Sequence, residues 1–449
     1  MLRSRFLHQE RAMPDATATP EIDARRAAAR ALAAQGRIAE AERAFAGLLR
    51  AAPADTDALN FLALCAHGRG RLDDALELLA RAQAAQPDDL ATLTNLGVML
   101  REHGRLDEAA AALRRAVELA PDFALARLRL AEVLEATGHV DAALPAYFGA
   151  IMTAQTQGQW LGDATTAPGL RPLVQHAMRV VAAGRRALFT ALLVPLRERH
   201  GGAALARVEK SLAIFLGDLP ANGPEPAQRP KFFYFPDLPA PRVFDRALFP
   251  WYAELEAQTD AIRTEMLAVL AEDHGFEPFL GHVDDHRQLQ DYLRGERGAP
   301  AWNAFFFYRH GERHAVNAAR CPRTAAAIDA APLCRIREHA PEVCYSVLTP
   351  GSHILPHHGV TNTRVVTHLA LRVPGGDLAL NVSGQLQRWQ EGRCFSFDDT
   401  FEHEAWNRGA DTRVVLLMDA WNPYLTEIER AAITALIGGI GDFNRAAGV

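Results

Sequence analysis

The chain has 449 residues, too many for one ordinary core, so two or three domains are expected. Hydrophobic residues make up 49% and charged residues 23%, the balance of a soluble globular protein. A formal net charge of -6 gives no global attraction to nucleic acid or an anionic membrane surface, and no apolar run approaches the length of a membrane span, so neither partner is expected.

Residues 1–22 read as a polar, disordered lead-in, and the first ten lack the apolar core of a signal peptide, which points to the cytoplasm. Cys65, Cys321, Cys334, Cys344 and Cys394 form no C-x-x-C pair and are odd in number. That pattern suits buried, reduced thiols rather than a disulfide framework or a zinc site.

Residues 23–155 are a repeat array. Gly36, Gly70, Gly104 and Gly138 fall 34 residues apart, and Pro53, Pro87 and Pro121 share the period. So do Ala41, Ala75, Ala109 and Ala143, and the small residues Ala29, Ala63, Gly97 and Ala131. The pattern resembles four tetratricopeptide repeats, each a pair of antiparallel helices such as 90–102 and 106–119 turned at the glycine. Small residues let the paired helices approach, Leu62, Leu96 and Leu130 fill the interface, and the prolines end the second helix of each pair. Repeats of this kind bury their apolar faces only by stacking, which leaves a concave face. Two uses stay open: a groove that holds a peptide or protein substrate, or a spacer or assembly module.

Residues 156–229 read as a helical bridge, with helices over 170–199 and 203–216, followed by a linker rich in proline and glycine. The last domain covers 230–425, with a helix over 251–272 and then short β-type runs at 343–348, 364–373, 377–382, 385–390, 393–397 and 412–419. Closely spaced strands of this kind predict a jelly-roll, a double-stranded β-helix with covering helices. Residues 426–449 are a C-terminal helix and tail.

Two stretches of this domain carry chemistry. Pro356-His357-His358-Gly359 precedes His368, and Asp398-Asp399-Thr400-Phe401-Glu402-His403-Glu404 precedes Arg413. They offer separated imidazoles for a metal and an arginine for a carboxylate. Neighbouring residues on a strand face opposite ways, so only one of His357 and His358 can point at an ion. Arg413 lies in the apolar run Thr412–Met418, where an inward guanidinium is costly unless an anion pairs with it; the alternative is that it faces solvent. Glu404 does not belong to an H-E-x-x-H motif, because position 407 is Asn. Asp398, Asp399, Glu402 and Glu404 read as turn-forming and solvated acids.

Residues 230–425 resemble the aspartyl/asparaginyl β-hydroxylase family of Fe(II)/2-oxoglutarate dioxygenases. The resemblance rests on Tyr345–His353, Pro356–Arg364, His368–Leu371, Trp389–Gly392, Phe397–Trp406 and Asp419–Pro423, in that order and spacing. It implies that His357 and His403 bind Fe(II), with Gly359 in place of the usual carboxylate and water filling the vacancy. It also implies that Arg413 pairs with the distal carboxylate of 2-oxoglutarate, with Ser346 and His368 beside the cosubstrate and Trp302 in the pocket wall. Arg364 matches a family arginine that meets a substrate carboxylate. Val366 stands where well-known family members carry another arginine, a departure that bears on cosubstrate binding. The implied reaction consumes O2 and hydroxylates the β-carbon of Asp or Asn in a peptide or protein. The alternatives are the same chemistry on a free amino acid or a lipid acyl chain, or an inactive repeat scaffold.

Overall fold

A computed structural model describes residues 20–223, 225–272, 274–280, 293–295 and 301–449. The expected lead-in therefore lies outside the described residues up to position 19, and helix has begun by Pro20. The chain divides into two compact units, one formed by the chain up to Ala187 together with Asp442–Val449, the other by Leu188–Gly441.

The first unit contains four helix pairs: α1 (Pro20–Ala34) with α2 (Ile38–Ala51), α3 (Thr56–Gly68) with α4 (Leu72–Ala85), α5 (Leu90–Glu102) with α6 (Leu106–Leu119), and α7 (Ala124–Ala136) with α8 (Val140–Thr156). Each pair turns at the periodic glycine, and Gly36, Gly70, Gly104 and Gly138 have φ between 76° and 84°. Only glycine adopts that conformation without steric cost, so the period in the sequence is a period of turns. Asp55 and Asp89, 34 residues apart, cap α3 and α5 by accepting from the backbone N–H three residues on. The periodic alanines are buried between the helices. At Gly97 the approach is close, because a Cβ there would run into the Leu113 side chain of α6.

The C-terminal residues belong to this unit and not to a free tail. Phe443 packs on Phe148 of α8 with ring centroids 5.1 Å apart, and Arg127 of α7 donates to the Ala447 carbonyl at 2.7 Å.

The second unit begins within α9 (Arg171–His200) and continues through α10 (Ala206–Phe215), α11 (Tyr252–Ala257), α12 (Thr259–Glu272), β1 (Glu277–Pro278), β2 (Leu293–Gly295), β3 (Trp302–Arg309) and β4 (Glu312–Arg313). Then come α13 (Ala315–Arg320), α14 (Pro322–Ala330), β5 (Val343–Leu348), β6 (Ser352–His357), β7 (Arg364–Arg372), β8 (Leu378–Val382), β9 (Gln385–Gln387), β10 (Cys394–Phe397), β11 (His403–Asn407), β12 (Arg413–Trp421) and α15 (Glu427–Ala447). The helix expected over 251–272 is two helices, because the ladder breaks at Gln258.

The strands make two antiparallel sheets. One has the order β1-β3-β5-β12-β7-β10, with β4 beside β3, and the other the order β2-β6-β11-β8-β9. From β5 to β8, and again from β9 to β12, the chain alternates between the sheets. Side chains of the first sheet divide by parity. Tyr345, Val347, Leu369, Val414 and Leu416 face α11, α12 and α14, where they meet Tyr252, Ile262, Met266 and Ile328. Cys344, Leu348, Val366, Ala370, Val415 and Leu417 face the second sheet and pack with Ile354, Leu380, Val382 and Ala405. The site lies at this inner face. All five cysteines are buried and none is in a disulfide.

Replacing Gly97 by Val is expected to destabilise the first unit by about 1–3 kcal/mol, the usual cost of overpacking a closed interface. Thermal unfolding followed by circular dichroism checks this, with Gly104→Ala, whose cost is a positive φ and not a clash, as the comparison.

Candidate metal and cosubstrate site

His403 opens β11 and faces inward with Ala405 and Asn407, while Glu404 and Trp406 point the other way. On the neighbouring strand, simple alternation would not bring His357 to the same side, since Ile354 faces inward and Pro356 would follow it. The pairing resolves this. Ala405 sits opposite Ile354, but His403 sits opposite His357, so β6 carries one extra residue across that step. This bulge at Leu355-Pro356 reverses the parity and re-aims His357 toward His403. The two imidazoles lie with centroids 4.1 Å apart.

Each ring is held from behind. Nδ1 of His357 bonds the Leu355 carbonyl at 2.8 Å, and Nδ1 of His403 bonds the Phe401 carbonyl at 3.0 Å. A carbonyl only accepts, so Nδ1 carries the proton in both rings and Nε2 carries the lone pair. Burial lowers the pKa of both, and with His357 adding to the effect His403 falls to about 4. Two neutral imidazoles with Nε2 lone pairs on neighbouring strands are a donor set that fits a transition metal such as Fe(II). His358 is held apart from the pair, with its Nδ1 on the Thr400 carbonyl at 2.9 Å.

Among the described residues, no three His, Cys, Asp or Glu side chains are grouped as a complete metal cage. One carboxylate, that of Asp399, acts on both rings. A side chain at Gly359 would fall on the Asp399 carboxylate, and the Gly359 N–H donates to the Asp399 carbonyl at 2.6 Å. Oδ2 of Asp399 pairs with Arg364 at 3.1 Å, whereas Oδ1 is buried without a hydrogen-bond partner. The sequence reads Asp398 and Asp399 alike as turn-forming and solvated, but both are buried. Asp398 does serve the turn, accepting from the Thr400 N–H at 2.9 Å and from Gln228 at 2.6 Å. Asp399 instead faces the site, and its position four residues before His403 was the one signal available.

Arg413 opens β12 and faces inward, 2% exposed, which excludes the solvent-facing alternative. Its Nη1 donates to the Ser346 carbonyl at 3.2 Å and to Ser346 Oγ at 3.4 Å, and its Nε is buried without a partner. No carboxylate among the described residues pairs with it, and burial lowers its pKa to about 10. Ser346 is on the adjacent strand β5 and also accepts from the Trp302 indole at 3.0 Å. Trp302 stacks on Phe279 at 4.0 Å and stands 6.4 Å, ring to ring, from His357. His368, on β7 with the same inward parity as Val366, is driven well below its ordinary pKa by burial, then by the charges of Arg413 and His403. Its Nδ1 accepts from the indole N–H of Trp389 at 3.2 Å. Trp302, Ser346, His368 and Arg413 are thus on the inner face of the first sheet, and His357 and His403 on that of the second.

Residues 256–423 match the family model of aspartyl/asparaginyl β-hydroxylase, and residues 26–89 and 94–157 match that of the tetratricopeptide repeat. The chain carries an aspartyl/asparaginyl β-hydroxylase domain behind tetratricopeptide repeats. Among its relatives is an ornithine lipid ester-linked acyl 2-hydroxylase from Rhizobium tropici, 36% identical over 41% of this chain and 61% of that one. The aspartate beta-hydroxylase domain-containing protein 2 of Mus musculus is 31% identical over 53% of this chain and 66% of its own length. The human aspartyl/asparaginyl beta-hydroxylase is 30% identical over 40% of this chain and 22% of its own length. The chain thus spans less than two thirds of the length of each of these relatives.

Within the β-hydroxylase domain, Arg364 has a different setting from the other anchors. Its Nη1 lies 2.9 Å from Asp419 Oδ1 and 3.1 Å from Asp399 Oδ2. Both acids are buried, and burial raises Asp419 to about 7. The guanidinium expected to meet a substrate carboxylate is already flanked by two of the protein's own.

Two predictions follow from this geometry. Gly359→Asp places a second carboxylate on that of Asp399, so it is expected to lower metal affinity and turnover and not to build a third ligand. Isothermal titration with Fe(II) or Mn(II) under argon checks this, and a gain in affinity would refute it. The second concerns pH. The folded pKa of His403 lies below its unfolded value, so its burial as a neutral ring contributes stability above about pH 6.5 that is lost as pH falls toward 4. The metal-free protein should therefore lose stability over that window, and His403→Gln should flatten the dependence in urea titrations at fixed pH values.

Proposed function

We propose that the chain is an Fe(II)- and 2-oxoglutarate-dependent dioxygenase that hydroxylates the β-carbon of Asp or Asn side chains in a peptide or protein. The observation that carries this reading is Arg413, a buried guanidinium without a carboxylate partner among the described residues, on the inner face of the sheet that packs against the one holding His357 and His403. A buried cation of this kind costs several kcal/mol unless an anion arrives to pair with it. A dicarboxylate that reaches both the arginine and the imidazole pair meets that need.

In this reading His357 and His403 hold Fe(II), which with O2 and 2-oxoglutarate supplies the oxygen-inserting chemistry and leaves succinate and CO2. The residues of the chain do the rest. Arg413 and Ser346 Oγ hold the distal carboxylate, and His368 donates to the cosubstrate. Trp302, stacked on Phe279, walls the pocket on the side of His357. The Asp399 carboxylate takes the room left by Gly359, and its charge acts on both imidazoles. Burial keeps both imidazoles neutral, so no proton has to leave before the ion binds. The repeats, tethered to the same chain, raise the local concentration of a polypeptide substrate. Five buried thiols support a reducing, cytoplasmic setting.

A second substrate reading has an observation of its own. Arg364 is enclosed by Asp399 and Asp419, and Val366 adds an apolar side chain to the inner face. An uncharged acyl chain needs no free arginine, and one relative is named as an acyl hydroxylase. Mass spectrometry for the gain of one oxygen, on Asp and Asn peptides beside fatty-acyl lipids, separates the two. Oxygen on the acyl chain alone moves the substrate and leaves the cosubstrate chemistry in place.

Arg413→Met should raise the apparent requirement for 2-oxoglutarate strongly and leave that for Fe(II) nearly unchanged, since a charge-assisted pair worth roughly 2–5 kcal/mol is lost. Titrating turnover against each component checks it. Equal shifts in both would contradict a specific role for the guanidinium.

A further inference from the structure

Trp389 lies between β9 and β10 and is 6% exposed. It touches two of the three groups assigned above to the cosubstrate. Its indole N–H donates to Nδ1 of His368 at 3.2 Å, with ring centroids 6.2 Å apart and planes 27° apart. Its ring face lies against Arg413, whose Cζ is 4.8 Å from the ring centroid. An indole N–H is a donor and never an acceptor. Nδ1 of His368 therefore carries a lone pair, and the proton of the neutral ring sits on Nε2. Without that partner, the imidazole would divide between two tautomers, one of which aims a lone pair where Nε2–H stands in the other.

We propose that Trp389 is a positioning residue for the cosubstrate: it fixes His368 as an Nε2–H donor and braces the Arg413 guanidinium, so that a dicarboxylate meets donors only. The proposal rests on the 2-oxoglutarate reading. Its physical content is the sign of two interactions. A carboxylate oxygen against Nε2–H gains a hydrogen bond, whereas against a lone pair it is repelled. The indole face attracts the guanidinium through the ring quadrupole and limits the directions in which its N–H groups can point. A role in packing alone would need the bulk of the ring but not its N–H, and this difference is testable.

Trp389→Phe keeps an aromatic face beside Arg413 and removes the donor, at the cost of one of the two fused rings. Calorimetry with 2-oxoglutarate on Mn(II)-loaded protein, under argon and with matched circular dichroism, reads the effect. The expected result is an affinity lower by roughly tenfold, the usual consequence of spoiling one hydrogen bond to a charged group, with Mn(II) affinity unchanged. Nitrogen-15 spectra of histidine-labelled protein should show His368 as the Nε2–H tautomer in the unaltered chain and as a mixture in Trp389→Phe. Trp389→Leu, which also loses the aromatic face, should bind 2-oxoglutarate more weakly still. Unchanged affinity in Trp389→Phe, or a proton on Nδ1 of His368 in the unaltered chain, overturns the proposal. If the unaltered chain itself does not bind 2-oxoglutarate, the cosubstrate reading fails and this role fails with it; binding that Trp389→Phe leaves intact removes this role alone.

Discussion

A positive charge buried without a negative one governs the second unit. Arg413 enters a strand whose other side chains are almost all apolar, and its inward parity takes the guanidinium out of water. The protein offers it a serine, a backbone carbonyl and an indole face, which blunt the cost of burial and do not cancel the charge. Arg364, at the far end of the same ladder of β7 and β12, opposite Trp421, shows the opposite solution, since Asp399 and Asp419 both pair with it. The contrast between a satisfied and an unsatisfied arginine in one sheet separates structural charge from charge kept for a ligand.

Around that guanidinium, strand parity does most of the construction. Ser346, His368 and Arg413 come from three neighbouring strands and share a face because each has the inward phase. The imidazole pair sits on the other sheet, and there parity alone fails. One inserted residue in β6 turns His357 inward, and without it Pro356 would face His403. The same step leaves Gly359 beside Asp399, where no side chain fits. The missing carboxylate at 359 and the carboxylate brought in by Asp399 are thus one feature of the packing.

The sequence makes the repeats legible because four glycines mark four turns of positive φ, and the helix limits of α5 and α6 follow from them. Strands β5, β7, β8, β10 and β12 are legible from short β-type runs bounded by Gly or Pro, and the two histidines and Arg413 from spacing matched to a family. Other features are not legible locally. Trp302–Arg309 is buried on both faces, so β3 has no alternation to detect, and β11 is short and half polar. The bulge in β6 is defined by its partner strand and not by its own residues. Asp399, Trp389 and Arg364 take their roles from Gly359, His368 and Asp419, all distant along the chain. The last turns of α15 read as a tail because their contacts with Phe148 and Arg127 lie some three hundred residues upstream.

In the proposed reading these features form one site, with a metal on the imidazole pair and a dicarboxylate on Arg413. The most direct measurement is the yield of succinate from 2-oxoglutarate in air, with Fe(II) supplied, omitted, or supplied to His403→Ala. The account predicts succinate only when the unaltered protein, Fe(II) and 2-oxoglutarate are all present. No succinate under any condition, or the same yield from His403→Ala, would contradict it.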